Sequence, residues 1–137
     1  VAIERLYADS KAAKAADARI AAEFSGRKKA NQEMFARLKA LSEKLDADGP
    51  HLAEPERLRR RREVLDLDKE VQRKEAAFHD DLVQRKSEEQ AVFAAKAHTL
   101  IGQVAQQEKI DIVLFRDVLW ARPDNDITDK IIKQLDL

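Results

Sequence analysis

The sequence predicts a mainly α protein with a small β head, from which a long antiparallel helical hairpin projects as a coiled-coil-like arm. Three observations carry this. Large apolar residues crowd one end: they are 13 of the 28 residues from 110 to 137, but only 21 of the 99 from 11 to 109. The dilute stretch is dominated by Ala, Leu, Glu, Lys, Arg and Gln, all good helix formers. Its prolines are Pro50 and Pro55, close together near its middle, where a chain can turn back.

Taken in order, Val1-Ala2-Ile3 reads as the tail of a strand. Ser10, or Asp9 equally well, caps a first helix that meets no breaker except Gly26 before Asp48. Gly49-Pro50 stops it, with glycine just past the end and proline after. Glu54-Pro55-Glu56 restarts a helix, with Pro55 at the first helical position and acid in the first turn. This second helix runs to about Lys109. At 1.5 Å per residue the two are about 60 and about 80 Å long, and a short connection folds them back antiparallel. The expected arm is 11–108 with its tip near 49–55, and the expected head is 1–10 with 109–137. In the head, Ile110–Phe115 is β-branched and aromatic and reads as a strand, Arg116-Asp117 as a polar turn, and Val118–Ala121 as a second strand. Asp126 or Thr128 caps a last helix with Ile127, Ile131, Ile132 and Leu135 on one side. So few short strands are marginal alone, and a chain without cysteine has self-association as its remaining staple. Val1, Ile3, Ile110, Ile112, Leu114, Val118 and Trp120 are the candidate assembly residues.

The arm carries interrupted heptads. Phe24, Asn31, Leu38 and Leu45 recur every seven residues, with Ile20, Arg27, Met34 and Leu41 in the complementary positions. On the second helix Val64, Val71, Phe78, Arg85 and Val92 recur, beside Leu67, Lys74, Asp81, Glu88 and Ala95. Charged and polar residues at such positions loosen a coiled coil. Acid-first pairs such as Glu56–Arg60 and Glu70–Lys74 each brace the outside by ~0.2–0.5 kcal/mol.

Several chemistries find no residues to perform them. The 137 residues contain no cysteine, three glycines and three histidines, His51, His79 and His98, set far apart. A helical metal pair at i, i+4 and a thiolate nucleophile are therefore excluded, and no Gly-rich phosphate loop or nucleophile elbow is present. The expectation is no enzyme, no metal and no cofactor. Charge is balanced at 26 basic against 26 acidic residues, so no net field draws nucleic acid. No apolar run approaches the ~18 residues of a membrane span. A chain that opens on Val1 rather than methionine reads as processed or truncated.

Two surface features remain. Residues 11–45 hold nine basic residues against four acidic, and Arg59-Arg60-Arg61-Arg62 lies near the tip. Successive helical residues point about 100° apart, so the four arginines read first as a solvated face. Together with Lys28 and Lys29 they are the candidate contacts for an anionic partner. Met34 next to Phe35, and Val92 next to Phe93, cannot all face one seam, which leaves apolar surface for something else. Met34, Phe35, Leu38, Phe78, Leu82 and Phe93 are the candidate contacts on the arm.

This layout resembles the Skp/OmpH family of periplasmic chaperones over essentially the whole chain. The residues that carry it are Glu4–Ala16 at the helix entry and Lys69–Glu75 on the second helix. The most specific are Asp111-Ile112-Val113-Leu114 followed by Asp126–Lys133. The resemblance implies a homotrimer with a shared β-barrel body and three helical hairpins around a cavity. It implies ATP-independent holding of unfolded outer-membrane β-barrel proteins in the periplasm. It also raises anionic lipid or lipopolysaccharide as a further partner, against which the balanced net charge weighs. The alternatives are a cytosolic prefoldin-like chaperone subunit and a coiled-coil adaptor or scaffold with one folded partner.

Overall fold

The computed structural model describes all residues from 1 to 137. Helix α1 spans Ile3–Asp9, α2 Lys11–Asp48, α3 Glu54–Gln107 and α4 Thr128–Leu135, with short 3-10 turns at Gly49–His51 and Pro123–Asn125. The chain divides into two compact units, one of Val1–Ala21 with Arg85–Leu137, the other Ala22–Gln84. The first takes in more of α2 and α3 than the expected head of 1–10 and 109–137, because α1 and α4 need those helix ends to bury against.

In the first unit Leu6, Ala13, Phe93, Ala97, Val104, Ile127, Ile131 and Leu135 form the core. The i, i+4 spacing of Ile127, Ile131 and Leu135 places all three on one face of the C-terminal segment. Tyr7 from α1 meets Phe93 from α3 with ring centroids 4.7 Å apart, a separation at which aromatic pairs add about 0.5–1.5 kcal/mol beyond their buried area. Ser10 breaks the chain between α1 and α2 in an extended conformation. Its Oγ accepts the Ala13 N–H at 3.0 Å, so it caps α2 as the sequence suggests. A second exposed donor of that helix start, the Ala12 N–H, goes to the Asp136 carboxylate at 3.1 Å. Helix α3 ends with Lys109 in the left-handed region, φ 57°. The Ile110 N–H reaches back to the Ala105 carbonyl at 2.8 Å, closing the α3 carbonyls in a Schellman arrangement.

The expected strands at Val1–Ile3, Ile110–Phe115 and Val118–Ala121 are absent, since Ile3 opens α1 and residues 110–122 carry no strand. A strand is defined by its ladder, and these apolar stretches meet no neighbouring strand within one chain. The expected turn at Arg116-Asp117 is present as a bend, with Asp117 at φ 57°.

In the second unit the end of α2 and the start of α3 pair antiparallel. Asn31 and Val71 are its most buried side chains, and Phe24 stacks edge-on against Phe78 at 5.7 Å. The Asn31 side-chain amide donates to the Lys74 carbonyl at 3.5 Å. Arg57 closes the turn by donating to the Gly49 and Leu52 carbonyls, each at 3.0 Å, and to Glu54 at 2.8 Å. Helix α3 starts at Glu54, so Pro55 is its second residue rather than its first.

The heptad reading fails along α3 at one point. Val92 is 66% exposed while Phe93 is 9% exposed. Val71, Leu82, Phe93 and Val104, all buried or half-buried, recur every eleven residues. A straight helix drifts about 20° per heptad, whereas eleven residues return to the same side after three turns.

Candidate functional site

Two surfaces stand out. The first is the irregular segment 110–122. Ile110 and Val113 pack on the core of the first unit, while Ile112 is 75% exposed and Trp120 78%. Leu114, Phe115, Val118 and Leu119 are exposed as well. The segment is apolar and rich in β-prone residues, but it has no strand ladder, and it bends at Asp111 and Arg116. Of the assembly residues named from sequence, Val1, Ile3 and Ile110 are half-buried against the core. Ile112, Leu114, Val118 and Trp120 are exposed on this segment.

Both ends of the segment are anchored. The Val1 amino group donates to the Leu114 carbonyl at 2.9 Å. Past the segment, Asp126 accepts the backbone N–H of Thr128 at 3.0 Å and the Thr128 hydroxyl, which in turn accepts the Ala2 N–H at 2.9 Å. The Thr128 hydroxyl, and next its backbone N–H, hold the Asp126 carboxyl below its ordinary value of 3.8. The sequence left the cap between Asp126 and Thr128; the cap position is Ile127, which has no side-chain cap, and Asp126 one residue earlier takes the first helical N–H, that of Thr128. Arg5 bridges to Asp129 at 2.6 Å and Lys130 to Glu108 at 2.7 Å, tying α4 to α1 and to the residue just past α3.

The second surface is on the helical pair of residues 22–84. Phe35 is 57% exposed. Met34, Leu38 and Leu82 are half-buried, and Phe78 is engaged with Phe24. Phe93 is withdrawn from any such surface, since it lies in the core of the first unit against Tyr7. Leu58, Leu65 and Val83 are exposed here and were missed from sequence, where a lone leucine among charges gives no signal.

The candidate cations divide in two. Glu56 holds Arg59 at 2.6 Å and Arg60 at 3.2 Å, and Arg60 also reaches Asp48. The hydrogen bonds from Arg59 first, then Arg60, pull the Glu56 carboxyl below its ordinary range. Lys28, Lys29, Arg61 and Arg62 are exposed and carry no ion pair. No cluster of three or more His, Asp or Glu side chains is arranged to hold a metal. No helix is long and apolar enough to cross a membrane.

The family described as outer membrane protein (OmpH-like) matches residues 1–135. The chain is similar to the chaperone protein Skp of Yersinia enterocolitica, 28% identical over 114 residues that cover 82% of this chain and 70% of that protein. It is also similar to the chaperone protein Skp of Photorhabdus luminescens, 30% identical over 82% of this chain and 69% of that one. The Pectobacterium atrosepticum chaperone protein Skp is 27% identical over the same shares.

Proposed function

The chain belongs to the OmpH-like outer membrane protein family, and from that premise we propose that it is an ATP-independent holdase chaperone. Its clients are unfolded outer-membrane β-barrel proteins in the periplasm, and it works as a trimer. The observation that carries the self-assembly is the exposed apolar segment 110–122, with Ile112 at 75% and Trp120 at 78% exposure. Patches of this kind on a soluble chain are interaction sites. Strands donated by neighbouring copies would satisfy the unpaired backbone and cover these side chains, giving the β body that a single chain lacks.

The holding rests on many weak contacts. An unfolded barrel strand alternates apolar and polar residues, and its free edge must be kept from pairing with another. Phe35, with Met34 and Leu38 beside it and Leu82 on α3, offers apolar contacts, and Arg61, Arg62, Lys28 and Lys29 offer cationic ones. Contacts from three copies to one client add through effective concentration, so no single deep pocket and no nucleotide is needed.

The test is dilution of a urea-unfolded outer-membrane barrel into buffer with and without the protein, with no ATP present. Suppressed turbidity at a fixed ratio of chains to barrel is expected. A barrel that aggregates equally fast in its presence overturns the reading.

A further inference from the structure

The four consecutive arginines are not one patch, and the structure separates them. Arg59 and Arg60 are tied to Glu56, and Arg57 is spent on the turn. Arg61 and Arg62 are left exposed without an ion pair, as is Lys69 two turns on. Leu58 and Leu65 are 53% and 52% exposed. On a helix, positions 58, 62, 65 and 69 are i, i+4, i+7 and i+11, a single stripe, with 61 at its margin. Glu63 falls outside that stripe, and Asp66 lies at the margin opposite Arg61. The result is two bare leucines, roughly 10.5 Å apart along the axis, framed by three unneutralised cations.

We infer that this stripe of α3 is a selective docking face for apolar client segments flanked by acidic side chains. The inference rests on the holdase reading and adds a sequence preference to it. The leucines provide the apolar contact, and the cations attract carboxylates that alternate with the client's apolar residues. A lysine- or arginine-flanked segment would meet like charge, so the face discriminates as well as binds. A lipid surface would call for a longer unbroken apolar face, and beyond Leu65 the stripe continues into Lys69 and Gln72.

The test uses fluorescent peptides in which apolar residues alternate with glutamate, and counterparts with lysine in the same places. The full-length protein is expected to prefer the glutamate peptide by about tenfold, the size of two or three exposed ion pairs, and the preference should shrink with added salt. The double variant Arg61→Glu/Arg62→Glu should lose or invert it. Lys86→Glu/Lys96→Glu, two exposed lysines away from the stripe and with the same change in net charge, should keep it. Leu58→Ser/Leu65→Ser should weaken both peptides alike. Equal affinity for the two peptides in the unmodified protein, or equal effects of the two charge reversals, would overturn the inference. So would an Arg61→Glu/Arg62→Glu variant that loses binding to phosphatidylglycerol vesicles but keeps its peptide preference, since the face would then belong to lipid. If the barrel-aggregation assay fails while the peptide preference stands, the holdase reading falls and the docking face remains.

Discussion

The Arg27 guanidinium on α2 lies 2.9 Å from the Asp81 carboxylate on α3, and it sits 5.5 and 5.7 Å from the rings of Phe24 and Phe78. Two residues that look like flaws in a heptad therefore meet each other, and the guanidinium also lies against the two rings. Both side chains are about half exposed, so the ion pair itself contributes under ~1 kcal/mol, with a similar increment from the rings. Arg27→Ala should cost about 1–2 kcal/mol, and the double change Arg27→Leu/Asp81→Leu, which puts apolar residues at two seam positions, should raise the melting temperature. A double variant that melts lower would show that the pair sets the register of the two helices rather than merely occupying it.

Phe93 and Val92 make a sharper test of packing along α3. Phe93→Ala should destabilise by about 3 kcal/mol, because it empties a site in the core beside Tyr7. Val92→Ala, at an exposed position, should stay within ~0.5 kcal/mol. Urea unfolding of the two variants reads the difference. Equal losses would restore the heptad register over the eleven-residue one.

Acid should loosen the first unit through Asp126. Its carboxyl is held below 3.8 in the folded chain, so the folded state resists protonation more than the unfolded one. The stability that follows is fully present above 3.8 and is lost as pH falls through the lower folded-state value. Asp126→Asn should be less stable than the parent at neutral pH, and the gap should narrow on acidification. Urea titrations of both proteins at neutral and acidic pH check this, and a gap that widens in acid contradicts it.

The exposed segment gives the assembly prediction. Ile112→Asp or Leu114→Asp should reduce the native mass, since both side chains stand free of the core and the proposed assembly covers them. Val113→Asp should instead unfold the first unit, because Val113 packs on its core. Native mass and circular dichroism separate the two outcomes. An unchanged mass for both Ile112→Asp and Leu114→Asp would remove this segment from the interface.

The helices were legible because their punctuation is local. Ser10, Gly49-Pro50 and the acidic start at Glu54 mark ends that each depend on a few adjacent residues. The strands at 110–115 and 118–121 were read from side-chain preference alone, while a ladder also needs a partner, and one chain supplies none. Helix α1 was hidden because Val1-Ala2-Ile3 has strand composition, whereas Leu6 and Tyr7 gain more by packing as a helical turn on the core with α4. Phe93 was misplaced by carrying a seven-residue count through Arg85, past the point where a 3.6-residue helix has drifted. Leu58 and Leu65 became visible only when the paired arginines could be told from the unpaired ones.

Two proposals meet in one experiment: that three copies assemble through residues 110–122, and that the assembly holds unfolded barrels. Light scattering of the protein alone, and after mixing with a urea-diluted outer-membrane barrel, tests both parts at once. The expected result is a species of three chains that takes up the barrel as a soluble complex. A monomer, or a trimer that leaves the barrel to aggregate, would contradict it.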